Sequence, residues 1–335
     1  MADTIKIGNY EVSCFKVGSS DCKIYLGDTL LYPQSTTPNY FRFVAREDGQ
    51  FKLSGNSISY SLDSGETWTS LASDTYSPTV SSGSYIMFKA TNPTLISNNG
   101  IGRFISSGLF DVEGNVMSLL YGDDFETATT ITNVGQFRSL FDSNANVVNA
   151  SGMTLPATTI SQDAYRSMFH SASNLVTAPT ELLATTLGES CCKYMFRYCS
   201  SLTTVPTLLA TNLAQSCYSY MFDGCSSITT APVLSATTMQ RQCYEYMFRN
   251  CTSLTTAPDL PATTLAYQSN RYMFYGCTSL NYIKCLATDI SATQCTTNWV
   301  SGVSSSGTFT KASSMTGWGT GANGIPSGWN VYNYS

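Results

Sequence analysis

Residues that could act in acid–base or nucleophilic catalysis are few and scattered in this sequence. His170 is the only histidine, and its position after a Met-Phe pair predicts a solvated side chain. A glycosidase needs two carboxylates that face each other in one cleft, and neither a G-x-S-x-G turn nor a G-x-x-x-x-G-K-[ST] phosphate loop occurs. We therefore predict that the protein is not an enzyme and has no cofactor. The acidic residues of the central region fall in different columns of the repeat described below: Glu181, Glu189, Asp223, Glu245 and Asp259.

Two acidic segments are candidate cation sites. The segment from Asp142 to Asn146 begins like a calcium loop, but Val147 stands where that loop needs Gly and Met153 where it needs Glu. The segment Asp123-Asp124-Phe125-Glu126 is predicted to be a solvated loop, with a calcium site as the alternative. We predict no metal site.

One hairpin motif lies in the N-terminal part of the chain. The stretch from Ser61 to Trp68 reads S-L-D-S-G-E-T-W and matches the pattern S-x-D-x-G-x-T-W at every defined position. It resembles the Asp box of sialidase propellers, a motif that also occurs in non-catalytic β domains. The resemblance implies a hairpin whose Asp and Ser fix the turn while the Trp packs beneath it. A single copy favours a structural role for its residues: Ser61, Asp63, Gly65, Thr67 and Trp68.

The element that must position any site is a repeat of about 26 residues between Leu140 and Val300. Apolar residues recur in each copy at i, i+4, i+8 and i+12, which predicts a helix buried on one face. The next segment, S-[LI]-T-T-[AV]-P, predicts a short strand, and the following A-T-T or A-T-N predicts the next helix N-cap. Each repeat is anchored by a Met-Phe pair or its degenerate copy: Leu140-Phe141, Met168-Phe169, Met195-Phe196, Met221-Phe222, Met247-Phe248, Met273-Phe274 and Trp299-Val300.

This order of elements predicts a right-handed α/β solenoid, because parallel strands require crossover connections. The phrase M-F-x-x-C-x-S-L-T-T-A-P-x-L-x-A-T-T-L resembles the BspA-like leucine-rich repeats of surface and phage-encoded proteins of Bacteroidales. The resemblance covers about half of the chain and implies recognition of a macromolecular surface, usually without catalysis.

The cysteines follow the same repeat. Eight of the 12 cysteines fall in two repeat columns, which predicts small apolar core residues. Within one copy, Cys217 and Cys225 would lie roughly 12 Å apart on a helix, too far for a disulfide. The sequence contains no C-x-x-C pair, so we do not predict a zinc site. The cysteines therefore predict folding in a reducing cytoplasm.

The other segments predict three further domains. Residues 1–32 contain short β runs, and Lys23 to Pro33 resembles leader modules of Bacteroidales phage structural proteins, which implies attachment to a particle. An extra sheet on the next domain is the alternative. Residues 33–116 predict a β-sandwich, residues 117–300 the solenoid, and residues 301–335 a C-terminal cap. We expect Trp318, Trp329 and Tyr332 to pack on the last repeat, with a sugar platform as the alternative, and N-G-I-P-S-G-W-N-V resembles the end of Bacteroidales phage repeat proteins.

The charge and composition of the chain limit the classes of binding partner. Charged residues make up 12% of the chain and its net charge is -5, which argues against nucleic acid. The sequence contains no run of about 20 apolar residues, the length that a membrane-spanning helix needs, so we predict no membrane insertion. The N-terminus lacks a secretory signal. We expect a virion surface protein, made in the host cytoplasm, homo-oligomeric, and attached to other virion proteins through the N-terminal arm. The alternatives are a purely structural virion component and an adhesin on the bacterial cell surface.

The solenoid is expected to contact a host surface polysaccharide or protein. A surface of repeated columns would bind through many weak contacts, and several copies per particle would add avidity. The predicted fold class is therefore α+β and multidomain, with an all-β arm, a β-sandwich, the solenoid and the cap. The predicted contact residues are exposed aromatic residues near the repeat helices, with packing of half of them between repeats as the alternative: Tyr218, Tyr220, Tyr244, Tyr246, Tyr272 and Tyr275.

Overall fold

The computed structural model describes residues 38–90 and 101–334, and the backbone of four strands nearer the N-terminus. Those strands are β1 (Thr4–Ile7), β2 (Tyr10–Val17), β3 (Ser20–Leu26) and β4 (Thr29–Tyr32). They form an antiparallel sheet in which each strand pairs with the next in sequence. This sheet belongs to one compact unit, Met1–Asn39, and the remaining residues, Tyr40–Ser335, form a second unit. The side chains of the predicted attachment arm lie outside the described residues.

The second unit begins with two β-sheets. One has six strands, in the order β13-β11-β5-β9-β7-β8, and the other pairs β6 with β10. Buried residues alternate along β5, and its Phe43 ring lies 5.2 Å from Phe51 of β6 and 4.8 Å from Phe104 of β10, so the two sheets share a core. The strands are β5 (Phe41–Ala45), β6 (Phe51–Ser54), β7 (Ile58–Ser61), β8 (Thr69–Leu71), β9 (Tyr85–Lys89), β10 (Arg103–Ser106), β11 (Phe110–Asn115) and β13 (Val147–Thr154).

The chain continues as a β-solenoid of about 8 turns. Each coil places short strands beside the matching strands of the next coil, and all of these pairs are parallel. The parallel pair β11 and β13 joins the solenoid to the six-stranded sheet. The solenoid strands are β12 (Thr130–Ile131), β14 (Thr159–Ile160), β15 (Glu181–Leu182), β16 (Thr186–Leu187), β17 (Thr207–Leu208), β18 (Tyr282–Cys285), β19 (Thr308–Ala312) and β20 (Asn330–Tyr334).

The prediction of a helix in each repeat is wrong. Within the described residues the only helices are α1 (Ser118–Tyr121) and a 3-10 helix at Gly122–Thr127, and both precede the repeats. The Met-Phe segments form a ribbon of consecutive turns instead. Along one copy, the N–H groups of Tyr194, Phe196 and Tyr198 donate to carbonyls of the next coil, while those between them donate to the third residue before. An α-helix would keep all of these bonds within itself.

The spacing of four residues reflects this ribbon. In each copy a residue with positive φ recurs every fourth position, as at Ser190, Tyr194 and Tyr198. Left-handed backbone costs a non-glycine residue about 1–2 kcal/mol. The hydrogen bonds to the neighbouring coil offset this cost, and an isolated segment could not form them. A helix and this ribbon therefore share the same apolar spacing but differ in what satisfies the backbone.

The solenoid core is a continuous stack of identical side chains. Five successive pairs of phenylalanine rings, from Phe141 to Phe274, stack at centroid distances of 5.1–5.8 Å. The Met-Phe anchors are fully buried, as predicted. Cys225 lies beside them, and its thiol donates to the carbonyl of Phe196 at 2.9 Å. The ten cysteines in the described region are free and buried.

Three further parts of the repeat and cap bear on the sequence-based predictions: the S-[LI]-T-T segment, the A-T-N segment and Tyr332. The S-[LI]-T-T segment does pair with its neighbours, as in the parallel bridges of Thr256 to Thr230 and Tyr282. The A-T-N segment does not cap a helix, because Asn212 forms a parallel bridge to Thr238 in a second strand column. Tyr332 was expected to pack on the last repeat, but its position on β20 leaves it 58% exposed.

Candidate functional site

The ribbon of turns places four tyrosines in one row, which we call the tyrosine ladder: Tyr194, Tyr220, Tyr246 and Tyr272. Tyr220 stacks on Tyr246 at 4.3 Å and Tyr246 on Tyr272 at 4.7 Å, with the rings within 10° of parallel. Tyr194 packs on Tyr220 at 4.9 Å and is tilted by 45°. All four have positive φ, and all four are partly exposed. The coils therefore bring residues 26 apart in sequence into direct contact.

Ring stacking decides which atoms of the tyrosine ladder can meet a ligand. The inner rings cover each other's faces, so a sugar ring cannot stack on Tyr220 or Tyr246. Burial, and then the neighbouring Tyr246, raises the pKa of the Tyr220 hydroxyl, and burial also raises the pKa of Tyr246. These phenols therefore stay protonated at physiological pH and can donate hydrogen bonds. The ladder presents ring edges and hydroxyl groups.

A charged cluster lies beside the tyrosine ladder, and we call it the arginine clamp: Arg197, Asp223 and Arg249. Asp223 is fully buried, and both of its oxygens accept from Arg249, at 2.7 Å each. Arg197 Nε donates to the same carboxylate at 2.8 Å. The hydrogen bonds that Arg249 donates to Asp223 raise the pKa of the Arg249 guanidinium. Two guanidinium groups therefore share one carboxylate.

The clamp and the ladder are in contact through cation–π pairs. The Tyr220 ring lies between the clamp arginines, with its centroid 5.3 Å from the Arg197 guanidinium and 5.7 Å from that of Arg249. Arg249 also lies 5.0 Å from the Tyr246 ring. Such pairs contribute about 0.5–2 kcal/mol each, depending on exposure. The arrangement can donate many hydrogen bonds and can hold an anion.

The predicted contact residues divide into three groups. Tyr220, Tyr246 and Tyr272 belong to the tyrosine ladder. Tyr275 is 40% exposed and its ring lies 5.6 Å from that of Tyr272. Tyr218 and Tyr244 pack between repeats, the alternative given above, because each is only 2% exposed and the two rings lie parallel at 6.4 Å inside the solenoid. A helix would leave Tyr218 and Tyr220 outside its apolar stripe, whereas the ribbon turns Tyr218 inward and leaves Tyr220 partly exposed.

Sequence reasoning missed Tyr194 and the arginine clamp. It treated the position after each Met-Phe pair as a variable exposed column, yet Asp223 in that column is buried. A signal was available, because an acidic residue stands between two arginines when the copies are aligned. His170 occupies the same column and was expected to be solvated, but its Nδ1 lies 2.9 Å from Asp142 Oδ1.

The Asp-box residues form a local network between β7 and β8. Ser61 Oγ accepts from Gly65 N at 2.9 Å, and Asp63 Oδ1 accepts from Thr67 N at 2.9 Å. Hydrogen bonds from Ser61 and Thr67 lower the pKa of Asp63 to about 2. Trp68 Nε1 donates to the Gly65 carbonyl at 3.1 Å. The carboxylate and the indole are thus both used to hold the turn.

The second acidic segment is also held by protein groups. Asp123 accepts from Lys89 at 2.7 Å and 2.8 Å, and its hydrogen bonds, from Lys89 and then from Tyr40, lower its pKa. Within residues 38–90 and 101–334, no three His, Cys, Asp or Glu side chains lie close enough together to ligate a metal ion. None of the described helices has the length and apolar composition of a membrane span.

Comparisons with known proteins were made at three levels. No family model, no curated protein and no solved structure matches the chain.

Proposed function

We propose that this protein is a non-catalytic component of a virion surface, as a phage fibre, appendage or capsid decoration. In this proposal the ribbon face of the solenoid binds a polysaccharide or protein on the host cell. The repeats are a phage-encoded form of the leucine-rich solenoid that their sequence resembles, wound right-handed, with residues 301–335 as the C-terminal cap. The host is then a bacterium of the Bacteroidales, which the same resemblance implies.

The tyrosine ladder is the observation that carries this proposal. Its hydroxyls recur once per coil, and neighbouring rings are 4.3–4.9 Å apart. A row of identical donors at a fixed interval matches a ligand that is itself a repeating polymer with many hydroxyl or acidic groups. Each contact is weak, but contacts along one chain and copies on one particle add through effective concentration.

The proposed cap is supported by aromatic packing at the end of the solenoid. Trp318 stacks on Trp299 at 5.5 Å, with the rings 14° from parallel. Trp329 is buried and donates from Nε1 to the Ser304 carbonyl at 2.8 Å. Both tryptophans therefore cover the last coils, and Trp329 is not available as a sugar platform.

Attachment and assembly complete the proposal. Residues 1–32 would join other virion proteins, and the sheets that follow would hold the solenoid away from the particle. Several chains would associate as a homo-oligomer. The chain is made in the host cytoplasm and reaches the exterior on the particle, which agrees with cysteines that are all free where they are described.

Labelling of virions tests the location and the role together. An antibody raised against residues 140–300 is added to purified particles of the phage that encodes the chain, and both electron microscopy and adsorption to host cells are followed. We expect labelled particles and lost adsorption. Labelling with normal adsorption would favour a purely structural virion component. Absence of label from all particles would remove the virion proposal and favour an adhesin on the bacterial cell surface.

A further inference from the structure

We infer that the arginine clamp is a binding site for an oxyanion, and that its ligand is the carboxylate or sulfate group of an acidic polysaccharide. This inference deepens the proposed function and rests on it, because it names the ligand class of the same ribbon face.

The first argument is the charge balance of the arginine clamp. Arg197 and Arg249 both bond to Asp223, so one positive charge of the cluster has no partner within it. Another carboxylate close to the tyrosine ladder, Glu245, is paired with Arg271 at 3.6 Å. The clamp thus carries a net positive charge in a chain whose net charge is -5.

The second argument is the donors that remain unused. Arg249 uses Nε and one Nη on Asp223, and Arg197 uses Nε on Asp223 and Nη2 on the Tyr198 hydroxyl at 2.7 Å. Among the described residues, no hydrogen bond is formed by Nη1 of either arginine. Their side chains are 23% and 24% exposed. A guanidinium held along one edge offers the other edge to two oxygens of a carboxylate or sulfate group, which it binds with two parallel bonds.

The third argument is that the site is rigid before any ligand arrives. Asp223 is fully buried and fixes both guanidinium groups. The Tyr198 ring lies 4.3 Å from Arg197, over Gly224, where a Cβ would come within 2.5 Å of Tyr198 Cδ1. Gly224 also has φ +76°, a conformation that favours glycine. Preorganised donors lose little entropy when they bind, so the site needs no rearrangement.

The polysaccharide follows from what surrounds the clamp. Tyr220 contacts both clamp arginines, and the ladder continues from it through Tyr246 to Tyr272. One anion next to a row of phenol hydroxyls matches an acidic sugar followed by other sugars. An acidic peptide would supply the anion but no repeated hydroxyl groups.

Binding of the whole chain to defined polymers tests the inference. Biolayer interferometry would compare polygalacturonate, dextran sulfate, neutral dextran and polyglutamate. We expect binding to at least one acidic polysaccharide, and which of the two binds identifies carboxylate or sulfate as the group. Neutral dextran and polyglutamate should bind at least about tenfold more weakly. Three results would overturn the inference: neutral dextran binding as tightly as the acidic polysaccharides, polyglutamate binding more tightly than they do, or no binding of either acidic polysaccharide.

Matched variants separate the clamp from general charge. Arg197→Lys and Arg249→Lys keep the charge but lose the planar fork, and each should weaken acidic polysaccharide binding about tenfold. Arg241→Gln is the control, because Arg241 is exposed, stacks on Tyr267 at 4.8 Å and is not one of the two arginines that pair with Asp223. It should stay within about twofold of the original chain. A loss in Arg241→Gln as large as in Arg197→Lys would overturn the inference in favour of diffuse attraction.

A milder variant guards against misfolding. Tyr198→Phe removes only the hydroxyl that accepts from Arg197 and should weaken binding about threefold. Wild-type binding by Tyr198→Phe and by both clamp variants, Arg197→Lys and Arg249→Lys, would contradict the site. Adhesion of the same proteins to host cells separates the two proposals. Cell adhesion without acidic polysaccharide binding would leave the proposed function standing and remove the clamp. Polysaccharide binding without cell adhesion would support the clamp as a binding site and remove the proposed function.

Discussion

The phenol ring of Tyr220 lies parallel to that of Tyr246, with ring centroids 4.3 Å apart and planes 10° apart. Tyr246 makes a second such contact with Tyr272 at 4.7 Å. Each stacked pair contributes about 0.5–1.5 kcal/mol beyond the area it buries. Tyr246→Ala should therefore lower the free energy of unfolding by about 1–3 kcal/mol, measured by urea denaturation. Tyr246→Phe keeps both stacks and should change it by less than about 0.5 kcal/mol; equal effects of the two variants would argue against stacking.

The buried carboxylate of Asp223 is expected to be the most sensitive charged position of the solenoid. Removing it leaves two guanidinium groups without their partner, and breaking a buried ion pair costs about 3–5 kcal/mol. Asp223→Ala should lower the urea midpoint accordingly. Asp259→Ala is the matched control, because Asp259 pairs with Lys284 while 60% exposed. That exposed pair should contribute less than about 1 kcal/mol, so a larger loss in the control would contradict the distinction.

The thiols of the solenoid should be unreactive while the protein is folded. Burial raises the pKa of Cys243, Cys277 and Cys285 to about 12. Only the thiolate is nucleophilic, so iodoacetamide at pH 8 should leave these residues unmodified over hours and alkylate them after denaturation. Peptide mass spectrometry assigns each site. Rapid alkylation of any of them in the folded protein would show that the coils open at that position.

The Asp-box hairpin should be stable to acid until its carboxylate is protonated. The pKa of Asp63 is lowered from 3.8 to about 2, so its folded-state value lies below the unfolded one. The stabilisation it provides is complete above about pH 4 and is lost as the pH falls through about 2. The Thr67 amide resonance should titrate in that range and should not titrate in Asp63→Asn. A midpoint near 3.8 in the original chain would contradict the network.

The sequence predicted the period, the buried anchors and most of the N-terminal strands. The Met-Phe pairs repeat strictly enough to fix the coil length, and β1 and β2 lie within residues 1–32, where short β runs are predicted. Those signals are local, because apolar periodicity and turn residues report the burial of a segment without its partners.

The conformation of the Met-Phe segment could not be predicted this way. Leu213, Cys217 and Met221 fit a helical stripe, and no propensity scale favours a left-handed backbone at Tyr194 or Tyr220. What stabilises that backbone is the bond from Tyr220 N to the Glu245 carbonyl in the next coil, at 2.9 Å. The same cause explains why Tyr218 is buried and not exposed as predicted, since the ribbon conformation decides which side chains of the segment point into the core.

Adhesion to host cells tests the central claim that the ribbon face is the recognition surface. The triple variant Tyr220→Phe, Tyr246→Phe and Tyr272→Phe removes the hydroxyls of the tyrosine ladder while the rings stay stacked. Tyr282→Phe, on strand β18, is the control. Labelled protein would be titrated on cells of the proposed host. We predict at least about tenfold weaker binding for the triple variant and unchanged binding for the control. Wild-type adhesion by a folded triple variant would contradict the claim.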